Sequence, residues 1–384
     1  MGRKYDALGV YLHIPFCVQK CKYCDFLSGA ASGDAMSEYV SALSQEIMQK
    51  ANQYRDAYEV CTIYFGGGTP SLLPAKDVNE LLELLRQQFV IAKNAEITLE
   101  ANPGTLNQDK LKMYLAAGIN RLSIGMQSTF DDELRLLGRI HTYQEFLDQY
   151  KLAVKLGFSN INVDLMMGLP GQTLTRLEQS VNRLIDLEPK HISVYSLILE
   201  EGTAFAKLYQ QSDLPQEEIE RTMYDHTRQL LEQAGYIQYE LSNYAKPGYE
   251  SRHNSSYWIG IEYLGLGLGA SSYMRQTRFK NTDDMKRYKK CPGEPSETEE
   301  ITKRMQMEEF MFLGLRMSTG ISYEHFHASF GISLNEVYQD VIEKHVSNGL
   351  LTICENEKGR RLKLTKKGMD VCNYVFADFI AENK

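Results

Sequence analysis

The chain has 384 residues, with 42 basic against 50 acidic side chains and a net charge of −8, a balance that excludes the broad positive field of a general nucleic-acid binder. Its seven cysteines are an odd, thinly spread set rather than the dense framework of a small secreted scaffold, and no N-terminal stretch pairs a charged region with an apolar one, so a cytoplasmic protein is expected. No apolar run approaches the roughly 18 residues of a membrane span, which leaves at most a peripheral association with a membrane.

Up to about residue 200, short apolar runs alternate with longer amphipathic segments, the signature of repeated βα units around a parallel sheet. Strands are predicted at residues 10–16, 62–65, 96–100, 121–125, 161–166 and 192–197. Helices are predicted between them at 39–49, 78–88, 111–116, 145–156 and 177–187, each with apolar residues three and four apart. Core packing accounts for those stripes without any site. The first strand runs directly into Cys17, Cys21 and Cys24, a C-x3-C-x2-C triad. Three thiolates on one short loop can hold three irons of a four-iron cube and leave the fourth without a protein ligand. A closed zinc site completed by His13 is the alternative, although zinc modules usually divide their ligands into two separated pairs.

Functional groups of parallel α/β sheets gather at the carboxyl ends of the strands, and five strand exits here carry polar or glycine-rich signals. After the cysteine loop come Gly66-Gly67-Gly68-Thr69-Pro70, Glu100-Ala101-Asn102-Pro103, Gln127-Ser128, and Asp164 with Gly168-Leu169-Pro170-Gly171. The three glycines fit either a tight turn or a close backbone approach to a ligand. Glu100 and Asp164 fit either ligand contacts or surface ion pairs.

Tyr11-Leu12-His13-Ile14-Pro15-Phe16-Cys17, the triad with Tyr23 before its last cysteine, and the Gly66–Pro70 loop together resemble the radical S-adenosylmethionine (SAM) superfamily. More narrowly, they resemble the branch of oxygen-independent coproporphyrinogen dehydrogenase and its haem-chaperone relatives. The resemblance covers nearly the whole chain. It implies an α/β fold with a partial (β/α)6 barrel and a [4Fe–4S] cluster on Cys17, Cys21 and Cys24 whose open iron binds SAM. By match to the family's motifs, Tyr11, Tyr23, Gly67, Gly68, Thr69 and Glu100 would line the SAM pocket. Gln127, Arg139, Asp164 and Ile198 fall on further binding positions, which in the porphyrinogen-oxidising members contact a second SAM; an apolar residue such as Ile198 equally suits a core.

Two features separate the members of that branch. The dehydrogenases carry a fourth cysteine two residues after the third, where this chain has Phe26. His253-Asn254-Ser255-Ser256-Tyr257-Trp258 matches the H-N-x-x-Y-W signature of the haem chaperones. An imidazole is a natural axial ligand for haem iron, and Tyr257 and Trp258 offer flat apolar surface to a macrocycle. The following Tyr263-Leu264-Gly265-Leu266-Gly267-Leu268-Gly269 run lacks the strand-to-helix context of a dinucleotide fingerprint and reads as a close-packed strand or loop flanking the barrel. Residues 291–300, rich in Pro, Gly and acidic side chains, read as an exposed linker.

Beyond residue 301, helices at 305–316, 323–330 and 334–347, a strand pair at 350–354 and 361–365 turning near Gly359, and a last helix from about Lys367 make a winged-helix pattern. Eleven basic and eleven acidic residues in this part give it no net field for phosphates, so it is expected to brace the barrel rather than bind nucleic acid. The domains are therefore expected at 1–235 (barrel), 236–300 (flanking segment) and 301–384 (winged helix). The function implied is a haem chaperone that binds a cluster, SAM and haem and passes haem to an acceptor protein, such as a respiratory haemoprotein. Its rivals are coproporphyrinogen dehydrogenase and a zinc-containing winged-helix regulator.

Overall fold

The computed structural model describes residues 5–356 and 359–380. Strand and helix alternate as β1 (Asp6–Ile14), α1 (Gly33–Tyr54), β2 (Tyr58–Gly67), α2 (Ala75–Gln88), β3 (Val90–Ala101), α3 (Gln108–Ala116), β4 (Arg121–Gln127), α4 (Asp131–Leu137), α5 (Tyr143–Leu156), β5 (Ile161–Met167), α6 (Leu174–Leu187) and β6 (His191–Ser196). The six strands pair in parallel in chain order. Helices cover such a sheet, so its central strands are apolar on both faces, and β4 is buried at every position. Local chemistry sets the helix ends: Ser32 caps α1, a Thr142–Glu145 capping box starts α5, and Gly157 at φ +114° ends it. All the predicted elements of this half are present. β3 starts at Val90 rather than 96: its first five residues are exposed or half-buried, and Lys93 and Asn94 separate Val90-Ile91-Ala92 from the buried run that follows.

The chain continues through α7 (Ala204–Leu208), α8 (Glu217–Gln233), β7 (Ile237–Gln238), β8 (Asn243–Ala245), α9 (Arg252–Trp258), β9 (Tyr263–Leu266), β10 (Ser271–Met274), β11 (Thr277–Asn281), α10 (Met285–Lys290) and β12 (Pro295–Glu300). The strand order is β12-β11-β10-β9-β1-β2-β3-β4-β5-β6-β8-β7. Its two ends do not pair, so the parallel strands form an open, partial (β/α)6 barrel.

The expected exposed linker is corrected in part. Residues 295–300 are exposed throughout but form an edge strand antiparallel to β11, and their charges suit an edge that must not pair further. The alternating glycines after residue 263 pack closely, as expected: a Cβ on Gly265 would stand 2.1 Å from the carbonyl oxygen of Ser271, and Gly267 has φ +106° against the Tyr39 hydroxyl. Buried Glu46 ties this segment to α1 and α10 by accepting from Gly267 N–H (2.8 Å), Asn281 Nδ2 (2.7 Å) and Tyr288 O–H (2.6 Å).

The C-terminal winged-helix-like domain comprises α11 (Lys303–Gly314), β13 (Ile321–Ser322), α12 (Tyr323–Phe330), α13 (Leu334–Ser347), β14 (Leu351–Asn356), β15 (Gly359–Leu364), α14 (Lys366–Asp370) and α15 (Cys372–Ala377). The predicted strand pair acquires β13 as a third strand, in the order β13-β15-β14. Glu357 and Lys358 of the wing turn lie outside the described residues. The expected last helix is two short ones, split at Val371 with φ −126°. Phe326, Tyr338, Leu362 and Phe379 belong to this domain's own core. It docks on the barrel side through Ser318 N–H to the Tyr239 carbonyl (2.9 Å) and through Arg278 Nη2, which donates to both carboxylate oxygens of Glu309 (2.9 and 3.0 Å).

Candidate functional site

The cysteine loop leaves β1 and is pinched shut at its base, where Cys17 N–H donates to the Gly29 carbonyl and Gly29 N–H to that of Pro15, both at 3.0 Å. A turn from Cys24 N–H to the Cys21 carbonyl (3.2 Å) tightens the loop between those two cysteines, and Lys22 N–H anchors it to the Leu137 carbonyl at the end of α4. The cysteines make no disulfide. A hydrogen-bonded chain links two of the sulfurs. Thr69 Oγ1 donates to Cys17 Sγ (3.6 Å), Asn102 Nδ2 to Thr69 Oγ1 (2.7 Å), Arg139 Nη2 to Asn102 Oδ1 (2.7 Å), and Arg139 Nη1 to Cys21 Sγ (3.5 Å). Hydrogen bonds to sulfur are among the features that tune iron–sulfur clusters, so the donor set fits an iron–sulfur cube on Cys17, Cys21 and Cys24. The zinc alternative fits poorly, because both ring nitrogens of His13 are engaged, Nδ1 with the Tyr11 hydroxyl (3.0 Å) and Nε2 with the Leu27 carbonyl (2.8 Å).

The glycine run is dictated by what presses on it. A Cβ on Gly68 would lie 2.6 Å from the Phe16 carbonyl oxygen and 3.0 Å from Cys17 Sγ, and one on Gly67, at φ +111°, 2.6 Å from the His13 ring. Turn and close approach are thus both required, and the approach is to the cysteine loop. Glu100, at the end of β3, accepts from Tyr64 O–H (2.7 Å) and Gly67 N–H (3.2 Å). Burial pushes its pKa up to about 7, against the pull of these donors. The carboxyl is thus poised to ionise when a cationic group meets it.

The remaining expected positions ring the same strand exits. Tyr23 packs beside the Met166–Leu169–Leu197 cluster. Gln127 ends β4 at φ +70°, a conformation that non-glycine residues adopt seldom and at a cost. Asp164 accepts from Asn162 Nδ2 (2.7 Å), and burial raises its pKa. Ile198 is 64% exposed and so belongs to no core. Asn102 and Tyr64 were not singled out from the sequence as site residues. Asn102 sits in the Glu100–Pro103 strand exit, and that location was the available signal; Tyr64 had none, since an aromatic residue in a strand is commonplace.

The H-N-x-x-Y-W segment is helix α9, packed against the barrel wall. His253 is 1% exposed; its Nδ1 bonds to Thr62 Oγ1 (2.8 Å), its Nε2 to the Tyr257 hydroxyl (2.9 Å), and its ring stacks on Tyr64 at 4.9 Å. Burial, helped by the Arg121 guanidinium, pushes its pKa down to about 3, so the ring is neutral. Tyr257, while bonded to His253, and Trp258 also line a cavity of about 660 Å³ between α9 and the C-terminal domain, together with Phe310, Leu313, Met317 and His325.

Residues 11–184 match the Radical SAM superfamily model and residues 301–371 the HemN C-terminal domain model. The protein named Heme chaperone HemW of Bacillus subtilis (strain 168) is 38% identical over 379 residues, covering 97% of this chain and 99% of its own. The chain belongs to the HemW family of radical SAM proteins. The Escherichia coli (strain K12) HemW is 44% identical over 268 residues, 70% of each chain. A mitochondrial radical S-adenosyl methionine domain-containing protein 1 from Danio rerio is 32% identical across 94% of this chain and 82% of its own. In fold, the chain matches coproporphyrinogen III oxidase (HemN) from Escherichia coli with a TM-score of 0.85 at 24% identity, covering 98% of this chain and 90% of that one. Phe26, two residues after Cys24, is 62% exposed.

Proposed function

We propose that the chain is a radical-SAM-type haem chaperone, which binds a [4Fe–4S] cluster, SAM and haem and delivers haem to an acceptor protein, a respiratory haemoprotein being the class expected. When bound, the cluster supplies low-potential electron delivery to SAM. Cys17, Cys21 and Cys24 would ligate it, with Arg139 and Thr69 holding the thiolates in place. Gly67 and Gly68, whose N–H groups are held by Glu100 and by the Ile14 carbonyl (2.9 Å), bring the backbone against the cysteine loop, and Glu100 would accept from the ammonium of an amino acid, ionising fully as it does so. Tyr11, Tyr23, Gln127, Arg139, Asp164 and Ile198 complete the mouth.

The observation that carries the haem part is the position of α9, whose His253 packs on the SAM-side strands while Tyr257 and Trp258 line the cleft toward the C-terminal domain. One short helix therefore touches both places that the function needs. The names of the relatives, heme chaperone HemW, support haem as the ligand. Thiolate ligation suits a reducing cytoplasm, and among the described residues no helix is long and apolar enough to cross a membrane.

The test is anaerobically reconstituted protein titrated with haem, reading the Soret band, and separately incubated with coproporphyrinogen III, SAM and a reductant, reading carbon dioxide. Stoichiometric haem binding without decarboxylation is expected. Robust carbon dioxide release would instead make the chain a coproporphyrinogen dehydrogenase.

A further inference from the structure

Haem poses three demands on a site: an apolar slot for a flat ring, cations for two propionates, and a free donor for iron. The cleft between α9 and the C-terminal domain meets each. Its volume of about 660 Å³ falls inside the roughly 300–1,000 Å³ range of small-molecule sites, and Trp258, Ile261, Phe310 and Leu313 give it apolar and aromatic walls. Arg278 and Arg361 line it against one carboxylate, Glu309, to which Arg278 already donates through Nη2. The lining is therefore net positive and suits an anionic guest. Trp258 Nε1, a buried donor, has no hydrogen-bond partner among the described residues.

The third demand separates the two histidines of the region. Iron ligation needs a ring nitrogen whose lone pair is free. In His253 both nitrogens are hydrogen-bonded and the ring is sandwiched in the barrel wall; it is not among the residues that line the cleft. His325, near the start of α12, lines the cleft, is exposed, and makes no side-chain hydrogen bond among the described residues. Only an edge contact with Phe310, 5.3 Å between centroids, positions its ring.

We propose that this cleft seats the haem macrocycle and that His325, rather than His253, supplies the imidazole to its iron, His253 being a positioning residue that fixes Tyr257. The proposal rests on the haem-chaperone reading and deepens it. It also bears on which tetrapyrrole the cleft takes. A metal-free porphyrinogen would use the slot and the cations but has no use for an unengaged imidazole.

The test uses the full-length, cluster-reconstituted protein titrated with ferric haem by Soret absorbance and low-temperature electron paramagnetic resonance. His325→Gly should lose affinity on the order of tenfold, the scale on which metal sites respond to losing a supporting group. It should also lose the wild-type spin-state signature, and added imidazole should restore that signature. Leu313→Trp, which fills the slot, should weaken binding with iron and cluster content unchanged, while His253→Gln should keep the wild-type spectrum. If wild type binds haem and His325→Gly and Leu313→Trp bind it with the same affinity and spectrum, the proposed seat is wrong although the chaperone reading stands. If wild type binds no haem, both fall.

Discussion

The barrel mouth and the interdomain cleft differ in how much freedom their side chains retain. At the mouth almost every group is committed: two glycines have no room for a Cβ, a chain of Thr69, Asn102 and Arg139 joins two thiols, and Glu100 is held by two donors. In the cleft, the His325 ring and the indole N–H of Trp258 have no hydrogen-bond partner among the described residues, and the walls come from two separate cores. The first arrangement is preorganised, which suits a resident cofactor. The second suits a guest that must also leave, since groups left uncommitted before binding make the bound state adaptable and the free state tolerable.

Breaking the preorganised region should produce the largest effects. Cys17→Ala, Cys21→Ala or Cys24→Ala should each abolish the four-iron cluster, seen as loss of iron and of visible absorption. Serine at Cys61, Cys291, Cys354 and Cys372 together should leave both intact. Gly68→Val should behave almost like the cysteine variants, because its side chain must displace the Phe16 carbonyl and Cys17 Sγ.

Smaller, and confined to one ligand, is the effect of Glu100→Ala. Removing a buried, doubly hydrogen-bonded carboxylate that meets a charged group forfeits about 1.5–3 kcal/mol. The dissociation constant for SAM should rise on the order of tenfold or more, while the iron content stays at the wild-type value. Equal affinity in the two proteins would make Glu100 a strut for Tyr64 and the glycine loop and nothing else.

How much of this was visible in the sequence tracks the same contrast. The parallel strands, their helices and the cysteine loop announce themselves because buried runs, caps and ligand spacing are local properties. The edge strand at 295–300 was read as linker because an exposed edge needs no apolar residue. His253 was singled out by its motif, yet the partners that occupy its ring are Thr62, 191 positions away, and Tyr257. The cleft itself is a product of docking two domains, so His325 carries no signal until α11 and α12 are set against α9. Arg139, expected near a second SAM, proves to reach the Cys21 thiol, a contact that spans 118 positions and has no local pattern.

The last predicted effect, confined to acid pH, concerns stability rather than ligands. The His253 ring is held neutral, with a pKa pushed down to about 3, against roughly 6.5 for an unconstrained histidine. As pH falls through 6.5 the unfolded chain takes up a proton that the folded chain refuses, so stability is fully present above 6.5 and is lost progressively toward pH 3. Glutamine at this position can still offer one donor and one acceptor to Thr62 and Tyr257 but cannot titrate. His253→Gln should therefore have a flatter dependence of urea midpoint on pH across that window. The dependence should not vanish, because burial also pushes the pKa of His191 well below its usual value. An acid slope identical to wild type would mean that the ring is not held neutral in the barrel wall, and the division of labour between the two histidines would lose its physical basis.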